Sequence, residues 1–329
     1  MKKFLNSPQT MLQESLDGFA SAHADLVALG EGHQFVRRKT LTAAKVALIS
    51  GGGAGHEPLH AGLVGLGMLD AACPGQIFTA PTPDQMLAAA QAVAQGAGVL
   101  FIVKNYEGDV MNFDMAAEML DGAHATVLVD DDVAVETSTY STGRRGVAGT
   151  LVVEKLVGAA AEQGRALADL KALGDAVNRR TRSMGVALSP CTVPAAGKPN
   201  FQLGDDEMEM GVGIHGEPGR RRVALAPAKA IVEEICAAIL ADLAPAQGSE
   251  ALLFVNGFGA TPSMELYLLF NEAARCLKAA GVTVARALVG SYVTSIDMAG
   301  ASITVSLLDE EAKSLWDAPV HTAALRWNA

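Results

Sequence analysis

Short apolar runs alternate with longer amphipathic segments along the first half of the chain. Runs rich in Val, Leu and Ile predict buried strands at residues 45–50, 99–104, 126–129 and 183–188, with a further short strand at 76–79. Apolar residues at helical spacing predict helices at residues 8–30, 58–66, 82–95, 112–120, 146–163 and 167–179. Strands that alternate with helices in this way are typical of βαβ units, so we expect a mostly parallel sheet with helices on both faces.

The pattern changes after residue 188, where any regular element is interrupted by Pro190, Pro194, Gly197 and Pro199. Beyond them, strands are predicted at 208–214, 251–256, 282–288 and 302–308, and helices at 227–243 and 263–280. We therefore predict an α/β fold of two domains. The first spans residues 1–188, and the second, at residues 189–329, is a smaller α/β domain with a mixed sheet.

The composition narrows the class of protein. The chain has 329 residues, half of them apolar, and a net charge of −11. An acidic surface repels phosphate backbones and anionic lipids, so we expect no nucleic-acid or membrane partner. No apolar run reaches the roughly 20 residues of a membrane span, and no apolar signal-peptide segment follows Lys2 and Lys3. The four cysteines form no C-x-x-C pair, so we interpret them as reduced core thiols of a cytoplasmic protein.

A glycine cluster, GGGAGHEP at residues 51–58, follows the strand at 45–50. Small residues at a strand end let the backbone approach a ligand closely, which makes a phosphate loop the first hypothesis. The chain nowhere has the sequence G-x-x-x-x-G-K-[ST], and its Gly-Lys pair is followed by Pro199. The pattern G-x-G-x-x-G also fails, because His56 stands where the third glycine should be. The loop therefore gives no argument for a nucleotide.

Two of the seven histidines stand in glycine-rich turns and are followed closely by Glu-Pro: His56, and His215 in GVGIHGEP at residues 211–218. A lone histidine is most often a structural or surface residue, and we interpret His60 as a helix-surface or packing residue. The turns around His56 and His215 leave room for their rings to meet a ligand. These two are our candidate catalytic histidines.

Asp109 lies in the polar loop after the strand at 99–104. It could cap the next helix, but neighbouring parallel strands end at one edge of a sheet, which would bring Asp109 towards His56. A carboxylate and an imidazole at one small ligand form a general-base arrangement, and Lys104 could add a positive charge. The acidic run at 130–132 invites a metal site, but we favour a solvated loop and predict no metal.

At these residues the chain resembles the substrate-binding subunit of dihydroxyacetone (glycerone) kinase. Stretches typical of that family occur in order along nearly the whole chain, at residues 49–58, 72–75, 78–83, 104–109, 129–135, 143–147, 191–199, 211–218, 259–262 and 316–321. The resemblance implies two α/β domains, a homodimer, and a kinase of the phosphoenolpyruvate-dependent type.

The resemblance also implies roles for the site residues. The histidine at the position of His215 attacks the ketone carbon of dihydroxyacetone and holds it as a covalent hemiaminal, which a neutral imidazole can form. His56 and Asp109 lie at the hydroxyl to be phosphorylated, with His56 as proton acceptor, although the residues alone leave open which of the two takes the proton. Further substrate contacts are expected from Gly53, Ala54, Gly55 and Lys104, where Ala54 replaces a common Ser.

Single-chain, ATP-using members of the family carry a further nucleotide-binding domain, which this sequence lacks. The resemblance therefore implies that ADP and Mg²⁺ are held by a separate partner subunit, recharged by a phosphotransferase protein, and that this chain holds no cofactor. The expected product is dihydroxyacetone phosphate. Two alternatives stay open: a four-carbon ketose such as erythrulose as substrate, and a non-catalytic relative that senses dihydroxyacetone. A sensor would need only His215, so His56 and Asp109 favour the kinase.

Overall fold

Two six-stranded sheets organise the chain in the computed structural model, which describes residues 2–136 and 138–329. The strands of the first unit are β1 (Val27–Leu29), β2 (Val36–Arg38), β3 (Ala47–Ala54), β4 (Gly65–Leu66), β5 (Ala71–Ile77), β6 (Val99–Lys104) and β7 (His124–Val129). The first sheet has the order β1-β2-β5-β3-β6-β7. Its four strands β5, β3, β6 and β7 are parallel, as predicted, and β1 and β2 extend it antiparallel.

Helices cover both faces of this sheet, which confirms the predicted fold class. They are α1 (Met11–Ala22), α2 (Pro83–Val93), α3 (Glu107–Met119), α4 (Gly149–Glu162) and α5 (Leu167–Arg179). On one face Met86 and Phe113, from α2 and α3, pack against Phe101 of β6. On the other face, side chains of α4 and α5 pack against Leu100 and Val127. The alternate residues of each strand therefore serve two apolar layers.

The second unit contains β8 (Thr181–Ala187), β9 (Glu207–Met210), β10 (Arg221–Ala224), α6 (Ala228–Leu243), β11 (Glu250–Gly257), α7 (Ser263–Ala279), β12 (Thr283–Gly290), β13 (Gly300–Leu308), α8 (Glu310–Asp317), β14 (Val320–Thr322) and β15 (Arg326–Trp327). Its sheet has the order β10-β9-β8-β13-β11-β12 and is mixed, since only β11 and β12 are parallel. β4, β14 and β15 form a small third sheet.

The predicted division after residue 188 puts the strand at 183–188 in the first domain, and this assignment is wrong for the sheet. β8 is hydrogen-bonded between β9 and β13 of the second sheet. An apolar run predicts a strand but does not say which sheet supplies its neighbours. The proline-rich stretch after it lies between two strands of one sheet. The exact domain boundary stays a prediction.

One helix joins the two units. α4 is buried along almost its whole length, and its apolar residues, among them Leu151, share a cluster with Leu48 of the first sheet and Phe254 of the second. Both units also contribute residues to the site described below. No helix among the described residues is long and apolar enough to cross a membrane.

Several local predictions are wrong. The helix predicted at residues 8–30 ends at Ala22, and Val27–Leu29 form β1 instead. Residues 58–66 form no α-helix but a single 3₁₀ turn, Ala61–Leu63, followed by β4. Leu59 and Leu63 are both buried, and their spacing in the sequence is the same as in a helix. Gly62 and Gly65 lie too close to neighbouring atoms to carry a side chain. The acidic run at 130–132 is no solvated loop either, since Asp131 and Asp132 are fully buried.

Candidate active site

The glycine cluster forms the carboxyl end of β3, directly beside the carboxyl end of β6. A Cβ atom on Gly52 would lie 2.3 Å from Lys104 Nζ, and one on Gly53 would lie 2.6 Å from the backbone nitrogen of Thr79. Neither position has room for a side chain. The glycines therefore bring the backbone close to its neighbours at the edge of the sheet where parallel α/β folds bind ligands.

A cavity of about 480 Å³ opens at this edge. The end of β3, the loops after β5 and β7, the start of α3 and one loop of the second unit line it. The lining residues are Gly53, Phe78, Thr79, Ala80, Tyr106, Gly108, Asp109, Asn112, Tyr140 and His215. Asp109 and His215, which are more than 100 residues apart in the chain, thus face the same space. The cavity is closed on one side by each unit.

His56 is buried behind the cavity and its ring lies 4.8 Å, centroid to centroid, from that of His215. Its Nδ1–H donates a hydrogen bond of 2.7 Å to the carbonyl oxygen of Thr294 in the second unit. Among the described residues, none donates to its Nε2. Burial, and then the charges of His215 and Lys104, hold the pKa of His56 well below its usual value. His56 is therefore a neutral imidazole with a free lone pair on Nε2.

His215 is held by its own loop. Its Nδ1–H donates a hydrogen bond of 2.7 Å to Oε1 of Glu217, whose Oε2 accepts from the backbone nitrogen of His215 at 3.0 Å. Burial alone would raise the pKa of Glu217, but the charge and hydrogen bond of His215 and the charge of Arg145 outweigh it and lower that pKa to about 2. An ionised Glu217 fixes the proton of His215 on Nδ1 and leaves Nε2 free.

Aromatic rings surround His215 on three sides. The ring centroids of Tyr106, His56 and Phe78 lie 4.6, 4.8 and 5.2 Å from that of His215, all in edge-to-face arrangements. Phe78 also stacks on His56 at 5.0 Å. These walls limit the positions that the imidazole can take and exclude water from its faces.

Asp109 lies in the first turn of α3, yet it does not cap that helix. Its Oδ1 is buried and has no hydrogen-bond partner among the described residues, and its Oδ2 is 3.7 Å from Lys104 Nζ. Burial raises the pKa of Asp109, while the charges of Lys104 and His215 lower it in part. A carboxylate with a free oxygen that faces a cavity is suited to accept a proton from a ligand.

Three predicted site residues lie elsewhere. Lys104 is fully buried and its ammonium group lies behind Asp109, where it donates to the carbonyl oxygen of Gly51 at 3.1 Å. Ala54 and Gly55 are not among the residues that line the cavity. Direct contacts of these three with a ligand stay predictions.

His60, which sequence reasoning assigned to a helix surface or to packing, is buried and bonded at both ring nitrogens. The interpretation as a surface residue is wrong, because no helix forms there and the chain turns inward. Four further residues escaped sequence reasoning: Phe78, Tyr106, Glu217 and Thr294. The H-x-E spacing could have identified Glu217, but the Thr294 carbonyl has no signal in the sequence.

The buried acidic run has a structural role. Asp131 accepts hydrogen bonds from the backbone nitrogens of Val147 and Gly149 and from Ser183 of β8. Asp132 pairs with the buried Arg145 at 2.7 Å. No group of three or more metal-ligating side chains occurs among residues 2–136 and 138–329. The four cysteines are free, and Cys73, Cys191 and Cys236 are buried.

Two sheets with a cavity between them and three convergent acid–base groups define a small-molecule enzyme of the α/β class. A family model described as the Dak1 domain matches residues 17–324, and the chain belongs to this family. It is 50% identical over 328 residues, 98% of this chain and 100% of the relative, to "PTS-dependent dihydroxyacetone kinase 1, dihydroxyacetone-binding subunit DhaK" of Listeria innocua. It is 47% identical, over 99% of both chains, to "PEP-dependent dihydroxyacetone kinase, dihydroxyacetone-binding subunit DhaK" of Escherichia coli.

A solved structure with a different printed role has a similar fold. The "Dihydroxyacetone kinase operon co-activator Dha-DhaQ" superposes with a TM-score of 0.88 at 34% identity, over 94% of this chain and 96% of the other. The family thus includes both kinase subunits and a regulator, and the two subunits named above are the more similar in sequence.

Proposed function

We propose that the chain is the ketose-binding subunit of a phosphoenolpyruvate-dependent dihydroxyacetone kinase, and that it presents dihydroxyacetone for phosphorylation to dihydroxyacetone phosphate. The observation that carries this proposal is the convergence of three acid–base groups: Asp109 and His215 line one cavity, and the ring of His56 lies 4.8 Å from that of His215. Nε2 of His56 and Oδ1 of Asp109 have no hydrogen-bond partner among the described residues. The similarity over the full length of two kinase subunits supports it.

His215 anchors the ketone in this proposal. Its Nε2 lone pair forms a bond to the carbonyl carbon as the C=O π bond breaks, the proton on Nδ1 passes to Glu217, and Glu217 releases that proton for the alkoxide oxygen, so no proton is gained or lost overall. The product is a hemiaminal with the summed mass of imidazole and ketone. Alcohols such as glycerol have no carbonyl and cannot form it, so the step selects the substrate.

His56 and Asp109 then act on the terminal hydroxyl. A neutral His56 with a free Nε2, and Asp109 with a free Oδ1, can both accept the hydroxyl proton as the oxygen attacks phosphorus. The phosphoryl group comes from a partner subunit that holds ADP and Mg²⁺ and is recharged by a phosphotransferase protein. The role of this chain is to bind, orient and deprotonate.

On the same resemblance we propose that the protein is a homodimer in the cytoplasm, and sedimentation of the purified chain would test the dimer. A four-carbon ketose is the second candidate substrate, because a cavity of about 480 Å³ has room beyond three carbons.

Reconstitution tests the function. We expect the chain with its partner subunit, the phosphotransferase proteins and phosphoenolpyruvate to phosphorylate dihydroxyacetone, and the chain alone with ATP and Mg²⁺ to be inactive. In that assay Asp109→Asn should lower kcat by about 10²- to 10⁴-fold and still bind the ketone. A higher kcat/KM for erythrulose would reassign the substrate. Binding of dihydroxyacetone without turnover in the complete system would instead indicate a regulatory protein.

A further inference from the structure

A row of buried ionisable side chains runs from the cavity wall into the core. Lys104 Nζ lies 3.7 Å from Asp109 and 2.8 Å from Nε2 of His60, and Nδ1 of His60 lies 2.7 Å from Oε1 of Glu154 on α4. Glu154 is completely buried, and Lys104 and His60 are nearly so. The chemistry proposed above uses Asp109 and gives no role to His60 or Glu154.

The hydrogen bonds in this row have one direction. A lysine ammonium group only donates, so Nε2 of His60 accepts and the ring carries its proton on Nδ1. Nδ1–H then donates to Glu154. The hydroxyl oxygen of Ser50 lies 3.1 Å from Nδ1 of His60, and this hydroxyl group donates its proton to the carbonyl oxygen of Ile102. A neutral imidazole thus connects an ammonium group to a second carboxylate.

Stability does not explain this arrangement. A buried ion pair contributes little net free energy of folding, and apolar residues of the same shape often serve as well. Oε2 of Glu154 is also buried without a partner among the described residues, which is costly.

We propose that Glu154, acting through His60, is a positioning residue that directs the Lys104 ammonium group at Asp109 and, once it is ionised at alkaline pH, keeps that group charged. This inference deepens the proposed function and rests on it. Lys104 in turn holds the carboxylate of Asp109 towards the cavity. Gly52 completes the arrangement, because a Cβ atom there would lie 2.3 Å from Lys104 Nζ and displace it.

The surrounding charges agree with this role. Burial lowers the pKa of Lys104, and the charges of Asp109 and Glu154 raise it. Burial raises the pKa of Glu154 to about 8, against the opposing charge of Lys104. His60 faces Lys104 and His56 besides Glu154, and burial holds its pKa well below the usual value, so it stays neutral. Asp109 faces Lys104 and His215. At alkaline pH Glu154 is the second carboxylate that favours a charged Lys104.

Glu154→Gln tests the inference, because it keeps the hydrogen-bond acceptor and removes the charge. In the reconstituted kinase, the alkaline limb of the kcat/KM profile should move to lower pH by about one unit, since Lys104 loses its proton earlier. The same shift should appear in a ¹³C NMR titration of labelled lysine, with the Lys104 resonance assigned from Lys104→Gln. The titration needs no turnover, so it tests this inference even if the kinase assay fails.

Lys155→Met is the matched control. Lys155 is a buried charge on the same helix, but it donates to the carbonyl oxygen of Leu315 and is remote from the cavity. The Lys155→Met substitution should leave the pH profile of kcat/KM and the NMR titration of Lys104 unchanged. His60→Gln, which interrupts the row, should shift them in the same direction as Glu154→Gln. Unchanged titrations in either folded variant would overturn the inference. So would loss of folding in both variants, which would assign His60 and Glu154 to the fold.

Discussion

The two glycine loops contain the same residue types, a histidine followed closely by Glu and Pro, but they hold the histidine in different ways. In the loop at 211–218, Glu217 accepts the Nδ1 proton of its own histidine. In the loop at 51–58, Glu57 accepts from the backbone nitrogen of Gly55, and the Nδ1 proton of His56 goes to a backbone carbonyl of the other unit.

This difference separates two chemical roles. A carboxylate partner can take up a proton and stabilises positive charge on the ring, which suits a histidine that forms a covalent bond. A carbonyl partner fixes the tautomer without adding charge, which suits a weak, neutral proton acceptor. We infer that the partner of Nδ1 distinguishes the two histidines: a carboxylate of its own loop for His215 and a backbone carbonyl oxygen of the other unit for His56.

The largest expected effect separates the two histidines directly. With dihydroxyacetone labelled with ¹³C at the carbonyl carbon, His215→Ala should abolish the hemiaminal resonance completely. His56→Ala should keep it and lower kcat by about 10²- to 10⁴-fold. A persistent hemiaminal signal in His215→Ala would show that the roles of the two loops are assigned wrongly.

The second loop also depends on an ion pair that the first loop lacks. Arg145 is buried, pairs with Asp132, and donates to the carbonyl oxygen of Gly211 at 2.7 Å. Arg145→Met should lower the free energy of unfolding by about 3–5 kcal/mol, because it leaves the charge of Asp132 buried and unpaired. Urea unfolding measures this change in the free energy of unfolding, and Arg144→Met is the control. Arg144 is partly exposed and pairs with Asp242, so its loss should cost about 0–1 kcal/mol. Equal effects would contradict the special role of Arg145.

Acid should reduce the contribution of Glu217 to the free energy of unfolding. The pKa of Glu217 is lowered from 4.5 to about 2, so its contribution is present above pH 4.5 and is lost as the pH falls towards 2. That contribution is about 3 kcal/mol. Unfolding in urea between pH 5 and pH 3 should therefore depend less on pH in Glu217→Gln than in the wild type. An identical pH dependence would mean that Glu217 does not hold His215.

The smallest expected effect is that of Glu57. The side chain of Glu57 is exposed and accepts hydrogen bonds from the backbone nitrogen of Gly55 in its own loop, so it contributes only modestly to the free energy of unfolding. Glu57→Gln should leave the protein as stable at pH 7 as the wild type. A large loss of stability would show that the carboxylate of Glu57 is as essential as that of Glu217.

Much of the fold could be predicted from periodicity. The strand at 99–104 matches β6 exactly, and α2, α5, α6 and α7 lie within one or two residues of their predicted positions. Periodicity failed where burial came from another cause. Between residues 58 and 66 the leucines are buried by a turn and a short strand, which helical spacing cannot distinguish from a helix. The short antiparallel strands β1 and β2 have too few residues for a pattern.

The site could be predicted in part, for a physical reason. His56 and Asp109 follow β3 and β6, two parallel neighbours whose carboxyl ends bring them together at one edge. His215 could be recognised only by the residue types of its own glycine-rich loop. The partners of these side chains are tertiary. Neither the row from Lys104 to Glu154 nor the burial of Asp132 has a local signal, because each depends on which helix or loop packs against the strand ends.

The carbonyl oxygen that holds His56 has a consequence for genetics. Every amino acid at position 294 supplies that oxygen, so no substitution there can remove the contact without moving the backbone. Saturation mutagenesis would score the position by its hydroxyl group alone, which donates to the carbonyl oxygen of Glu57 at 2.9 Å. A backbone contact of this kind is not removed by point mutation, so a mutational scan would not detect its contribution.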